Sequence, residues 1–304
     1  MGSVFIGLPP NDYFAILMVE VAIGILTNAF IVLVNLRDWL KGQSLNSSDK
    51  LVVSLALSNT CFSVANAATI VCAFFFVGLM LVDYIYYILY GLMSYAIFSS
   101  SWLSSWLCLF FFLKIITFQG GCFGWMKTKV ELLVPWLIFL SQVMSFASVL
   151  PSIWTTTKMF AGNFTSSEID AIVIGYQINS YYNYISVLVN CIVPFLIVTA
   201  TTGRIIASLS LHAHHMKQNM EDSRGTSLKV HQVAARTMSS LLVIYLMFYV
   251  VELGLGFLSQ TNQFYWMCFM LMLLFPTLQS IVLITGNSKL RQVCSDLMSC
   301  KKKP

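Results

Sequence analysis

Charge is what this sequence has least of. Only 10% of its 304 residues are Asp, Glu, Lys or Arg, where soluble globular domains carry roughly 25%. Hydrophobic residues make up 58%, and the mean hydropathy is +0.80. A water-soluble globule of this length has too little polar surface to cover so much apolar side chain. That excludes a cytosolic enzyme, a disordered chain and a nucleic-acid binder. The net charge of +5 is modest, so where the cations fall matters more than their number. The composition reads as an integral membrane protein.

Chemistry-bearing motifs are also missing. The chain has no His/Glu zinc pattern, no Gly-x-Ser-x-Gly, no Cys-x-x-Cys and no P-loop. No enzyme activity and no cofactor are expected. The last apolar stretch has no Lys for a retinal Schiff base, which excludes a light sensor. No internal repeat marks the two halves of a transporter. The N-terminus has neither a basic region nor a cleavage site, so no removed signal peptide is expected.

What the chain does have is long apolar runs. A helix needs about 20 apolar residues to cross a bilayer. Seven stretches meet this: 13–36, 51–76, 92–118, 132–153, 182–211, 234–258 and 264–286. The intervening 77–90 is apolar too, which softens the second and third boundaries. No ten-residue alternation points to a barrel. The expected fold is an all-α membrane protein. It is a single seven-transmembrane helix bundle over 1–304, with a short basic tail at 287–304.

Sixteen of the seventeen Lys and Arg fall in the first, third and fifth connections, at their borders, or in the tail. The exception is Lys158. The positive-inside rule puts these segments in the cytoplasm. The N-terminus is then extracellular and the C-terminus cytoplasmic. The sequon Asn163-Phe164-Thr165 falls on the expected outer face and is a candidate glycosylation site; Asn46-Ser47-Ser48 falls inside. None of the eight cysteines lies in the outer loop 154–181, so no outer disulfide is expected. Cys294 and Cys300 beside the membrane are read either as palmitoylation sites or as free thiols.

The motifs then resemble a known family, the type 2 (bitter) taste receptors. The first helix carries Glu20 and the run Gly24-Ile25-Leu26-Thr27-Asn28-Ala29-Phe30-Ile31-Val32-Leu33-Val34-Asn35, followed by Trp39. The second has Leu55-Ala56-Leu57-Ser58. The third has Trp102-Leu103-Ser104-Ser105-Trp106-Leu107 and then Phe110-Phe111-Phe112-Leu113-Lys114-Ile115. The fifth has Pro194-Phe195 and Ser208-Leu209-Ser210-Leu211-His212, with Met216 beyond. The sixth opens Lys229-Val230-His231 and continues to Ala235, Ser240, Leu241 and Tyr245. The seventh has Pro276, Ser280, Leu283-Ile284 and Asn287-Ser288-Lys289-Leu290. Rhodopsin-like Asp-Arg-Tyr and Asn-Pro-x-x-Tyr signatures are absent. The chain departs from the family at Asn59, where many members have Arg, and at Gln279, where many have His. Arg204 replaces a usual apolar residue, and Phe269 stands where some members carry a ligand-contacting Glu. These changes mark a divergent member.

The resemblance implies a plasma-membrane G-protein-coupled receptor for small bitter compounds. It implies a gustducin-type heterotrimeric G protein, phospholipase C and calcium release. Rival readings are a pheromone-type chemosensory receptor, a transporter and a structural membrane protein. Membrane lipid is a partner on any reading, and a homo- or hetero-oligomer stays open.

The segment before the first helix is too short for a binding module, so a ligand has to enter between the helices. Trp102 and Trp106 share a helix face at i, i+4. Trp102 lies about 18 Å from Lys114 along the helix, in the outer half. The resemblance makes Trp102 a ligand-facing position, with interhelical packing as the alternative for both rings. Phe248 occupies a position where relatives place a pocket-floor aromatic. Glu252 is an intramembrane acid, either a partner for a cationic ligand or a protonated group bonded to a neighbouring helix. Asn183 and Asn190 are read as pocket donors and acceptors or as interhelical bonds. Phe269 completes the candidate ligand set, and Glu20 is read as structural. Lys114, His212, Met216, Lys229, His231 and Arg236 form the candidate G-protein face. A cationic collar on anionic lipid is the alternative there, and a metal site at the histidines is disfavoured because no Cys or acid completes it.

Overall fold

The computed structural model describes residues 3–4, 13–80, 82–116, 121–161, 173–218, 225–257 and 263–300. Inside a bilayer every backbone N–H and C=O must be paired within the chain, which leaves helices as the form for apolar runs of this length. The long elements are α1 (Phe14–Leu40), α2 (Ser47–Phe75), α4 (Asp83–Ile115) and α5 (Gly121–Val149). They continue with α8 (Val193–Gln218), α9 (Gly225–Phe257) and α10 (Gln263–Gly286). Among the described residues, seven helices are long and apolar enough to cross a membrane. Short helices α3 (Val77–Met80), α6 (Ser152–Thr155) and α7 (Ser180–Val187) sit between them, and α11 (Ser288–Cys300) follows α10.

Helices outrun the apolar windows. α4 begins at Asp83 rather than 92, and the apolar stretch 77–90 is α3 plus the first turns of α4. α5 begins at Gly121 rather than 132. Hydropathy marks the part of a helix that needs lipid, and polar turns continue beyond it.

The connection read from sequence only as a loop contains a small antiparallel sheet. β2 (Thr156–Ala161) pairs with β3 (Val173–Ile178), and β1 (Ser3–Val4) adds to the other edge of β3. This sheet marks one end of the bundle; α11 marks the other. Asn179 caps α7, its side chain accepting from the N–H groups of Tyr181 and Tyr182.

The fifth span is not a continuous α-helix. A π-helical turn, Leu188–Ile192, joins α7 to α8. Pro194, the second residue of α8, has no N–H to give back to the preceding turn. The Cys191 carbonyl of this turn accepts from the Tyr249 hydroxyl of α9 at 2.7 Å.

α4 runs through the centre, with Ser99, Ser100, Ser101, Ser104 and Ser105 all buried. Small residues set the close approaches. A side-chain carbon at Gly24 would meet Ser63 Oγ at 3.0 Å and Thr277 Oγ1 at 3.2 Å, so α1 lies tight against α2 and α10. At Gly286 such a carbon would run into Thr237, which holds α10 against α9. Gly42, at φ +80°, turns the chain between α1 and α2.

The apolar interior is divided in two. Toward the sheet end, Leu17, Val21, Phe62, Ala96, Phe248 and Phe275 belong to one cluster. Toward α11, Ile31, Leu55, Leu107, Leu241, Leu283 and Leu290 belong to another. Between them lies a layer of buried polar side chains: Asn28, Asn59, Ser100, Ser104 and Gln279.

Candidate functional site

The polar layer is built from five helices. Asn59 donates to Gln279 Oε1 at 2.7 Å and to Asn28 Oδ1 at 3.2 Å. Ser100 donates to Asn59 Oδ1 at 3.1 Å and lies 3.2 Å from Gln279 Oε1. The Gln279 amide N–H2 donates to Ser104 Oγ and to the Tyr245 hydroxyl, each at 2.9 Å. Tyr245 in turn donates to Ser104 Oγ. Asn28 also donates to the Pro276 carbonyl at 3.2 Å. Buried polar groups are tolerated only when paired; here they tie α1, α2, α4, α9 and α10 together. Every member is neutral, so no charge has to be desolvated to build it.

Level with this layer, between Ser100 and Ser104 on α4, lies Trp102. Its ring is buried and stacked on Trp106, with centroids 5.4 Å apart. The indole N–H of Trp102 donates to Asn190 Oδ1 at 3.2 Å. Asn190 sits in the π turn, fully buried, and its own N–H2 donates to the Ser186 carbonyl at 3.1 Å. The Trp106 indole points the other way and donates to Ser141 Oγ of α5 at 2.9 Å. Trp102 thus faces the fifth span and Trp106 the fourth.

Phe248 is buried against Phe275 at 4.5 Å, beside Tyr249 at 5.8 Å. Tyr249 packs edge-on against Phe195 at 5.2 Å. These rings close the α9–α10 and α8–α9 seams next to the π turn. Glu252 is accessible, one turn along from Phe248, and lies within electrostatic range of Tyr90, Cys191 and Tyr249. Phe269 is half-buried, edge-on to Trp266 at 6.0 Å. Asn183 is exposed on α7 and is not brought to the tryptophans. Trp102, Asn190, Phe248 and Glu252 therefore form a connected set through Tyr249 and the π turn. Asn183 and Phe269 stand apart from it. Glu20 is half-buried on α1.

At the other end, Lys114 is exposed and pairs with Glu131 at 2.6 Å, with its ammonium 5.7 Å from the centre of the Phe110 ring. Lys127 donates to the Ile116 carbonyl at 2.8 Å and ties the end of α4 to α5. Arg236 is exposed. The side chains of His212, Met216, Lys229 and His231 lie outside the described residues, as does Asn163. Among the described residues no group of His, Cys, Asp and Glu has metal-binding proximity.

In the sequence Lys289 reads as a tail cation and as part of the Asn287-Ser288-Lys289-Leu290 motif. The structure gives it a fixed place. Its ammonium donates to Asn35 Oδ1 at 2.7 Å and pairs with Asp38 at 3.0 Å and Asp49 at 3.6 Å. Asn287 donates to Asp49 at 3.2 Å, and its carbonyl oxygen receives the Lys289 backbone N–H at 3.0 Å. The Asn287-Ser288-Lys289-Leu290 motif is thus a lock between α1, α2, α10 and α11. The signal for it was available: two acids, Asp38 and Asp49, stand at helix ends in a chain short of acids. The polar layer also had a signal, in the run of serines inside an otherwise apolar third span.

Seven spans, a neutral polar layer across their middle and a stacked tryptophan pair level with it define a polytopic helical membrane protein. A family profile described as taste receptor protein (TAS2R) matches residues 10–302, and the chain belongs to this bitter taste receptor family. It is similar to taste receptor type 2 member 14 of Macaca mulatta, 29% identical over 294 residues, covering 94% of this chain and 91% of that protein. It is similar to member 39 of Homo sapiens at 26%, covering 91% and 83%. It is also similar to member 41 of Rattus norvegicus at 28%, covering 91% of each. The chain is accordingly a G-protein-coupled sensory receptor of the plasma membrane, not an enzyme.

Proposed function

We propose that this receptor responds to small, largely apolar bitter compounds bound at the sheet end of the bundle, with that end and the N-terminus outside the cell. The ligand rests against Trp102, with Asn190 as its hydrogen-bonding neighbour, Phe248 and Tyr249 as apolar walls and Glu252 at the mouth. The observation that carries this reading is the Trp102–Asn190 hydrogen bond at 3.2 Å. It sets an aromatic face and an amide about 3 Å of helix from Ser104, a member of the polar layer.

A ligand shifts a conformational equilibrium only by binding one arrangement better than the other. Competing with the Trp102–Asn190 bond changes how α4 meets the π turn. Tyr245 and Gln279 then carry the change to α9 and α10. Movement of α9 opens the end that bears Lys114 and Arg236 to a heterotrimeric G protein. Gustducin-type coupling, phospholipase C and calcium release follow. The cations of that end also hold anionic lipid.

The test is calcium release in cells expressing the chain with a promiscuous G protein, challenged with a panel of bitter compounds. At least one compound is expected to give a saturable response. Trp102→Ala is expected to raise its half-maximal concentration by about tenfold or more, the scale of a lost aromatic contact with its hydrogen bond. An unchanged dose-response in Trp102→Ala would remove Trp102 from the site. Silence across the panel despite surface delivery would overturn the assignment of bitter ligands.

A further inference from the structure

A second concave surface lies apart from the tryptophan site. Between α4 and α5, on the outward side of the bundle, a cavity of about 600 Å³ is lined by Tyr87, Gly91, Tyr95, Gln142, Phe146 and neighbouring aliphatic side chains. That volume falls in the range of small-molecule sites, roughly 300–1,000 Å³. Ile88, Leu92, Val143 and Phe146 around it are exposed, so the opening faces lipid. Gly91 sets its depth, since a side-chain carbon there would already touch Val149 at 3.4 Å.

The walls are mostly apolar; Tyr87, Tyr95 and Gln142 are the lining residues with polar side-chain atoms. Gln142 Oε1 receives two hydroxyls, from Tyr95 and, at 3.1 Å, from Ser99. Ser99 lies 2.8 Å from Ser58 behind it. These bonds occupy one end of the amide and fix its orientation. The other end, the N–H2, has no partner among the described residues, and it belongs to a lining residue. An amide N–H left unpaired in hydrocarbon is costly. Gln142 lies near the middle of the span Gly124–Thr155. Seven residues, about 10 Å of helix, separate it from the end of α5. Headgroups sit at the bilayer surface, and acyl chains at this depth carry no acceptor. The complement is a neutral molecule dissolved in the hydrocarbon, rigid enough to fill a preformed groove and bearing a carbonyl.

We propose that the α4–α5 groove is a ligand site open to the bilayer, taking a rigid apolar ketone of steroid size whose carbonyl accepts from the Gln142 amide. The site goes beyond the bitter-ligand reading and does not depend on it. The test uses the full chain in lipid nanodiscs, with tritiated androstenedione as probe and the parent hydrocarbon androstane, which has no acceptor, as competitor. Saturable binding is expected, with androstane competing at least about tenfold more weakly, because a site built around a donor rejects the analogue lacking its partner. Gln142→Leu is expected to weaken binding by about tenfold or more. Val143→Trp, which fills the groove from its lipid side and leaves the Tyr95 and Ser99 hydrogen bonds in place, is expected to abolish it. Binding that is unchanged in Val143→Trp, matched competition by androstane, or no saturable binding would each overturn the proposal. So would loss in Trp102→Ala with retention in Val143→Trp, which puts the probe in the bundle's own pocket. The assay needs no G protein, so its failure is separate from a failure of the calcium response.

Discussion

Gln279 has four polar partners: its Oε1 accepts from Asn59 and lies 3.2 Å from Ser100 Oγ, and its amide donates to Ser104 and Tyr245. No other single side chain described here joins α2, α4, α9 and α10. Its neutrality matches that of Asn59, and the two positions make sense only together. A cation at either one would face amides and hydroxyls with no acid among its partners. Replacing Gln279 with Leu keeps the approximate volume and strands several polar groups. Each buried group left unsatisfied costs about 1–3 kcal/mol. Gln279→Leu is therefore expected to lower the thermal unfolding midpoint of the purified receptor by several degrees. An unchanged midpoint would show that the layer adds nothing to stability. These residues were noticed in the sequence as departures from the family pattern. That they bond one another was not visible, because they are 220 positions apart.

Two elements carry their own expectations. The π turn at Leu188–Ile192 sets the rotational register of Asn190. An α-helix advances about 100° per residue, so removing the extra residue of a π turn rotates everything on one side of it. Pro194→Ala restores an N–H and permits a regular helix. It is expected to turn Asn190 away from Trp102, seen as a changed Trp emission and a weakened ligand response. An emission and response identical to the parent would mean that Pro194 does not maintain the turn. The second element is α11. Its attachment rests on Lys289 between Asn35, Asp38 and Asp49. Lys289→Met removes the cation that bridges Asp38 and Asp49, leaving Arg37 beside Asp38 alone. Backbone hydrogen exchange over residues 288–300 is expected to accelerate, with little change in α4; unaltered exchange there would mean that other contacts hold the helix. The sequence marks this region as a basic tail that opens on the Asn287-Ser288-Lys289-Leu290 motif. It is a helix because Asn287 caps it and Leu290 reaches the core.

At the scale of the whole molecule, orientation is the expectation with the widest reach. On the positive-inside reading of the cations, Asn163 and the N-terminus are expected outside. Full-length receptor is expected to lose apparent mass on treatment with a peptide N-glycosidase, and Asn163→Gln is expected to abolish that shift. An antibody to an N-terminal tag should stain intact cells. Staining only after permeabilisation would invert the bundle and move the ligand site to the wrong side of the membrane.

Seven apolar stretches were readable in the chain itself, because the bilayer imposes a length and a hydropathy that no neighbour can override. The tryptophan pair was readable as well, since i, i+4 spacing places two rings on one face. Direction was not: only packing against α5 and the π turn shows that Trp106 looks toward Ser141 and Trp102 toward Asn190. The small sheet between the fourth and fifth spans escaped notice, because a short strand pair gives no hydropathy signal. Membrane spanning is a one-dimensional property, decided by transfer from water to lipid along each helix. The polar layer, the Lys289 lock and the Gln142 groove are decided by which distant side chains meet. That follows from helix contacts such as Gly24 on Ser63, set only when the rods pack together.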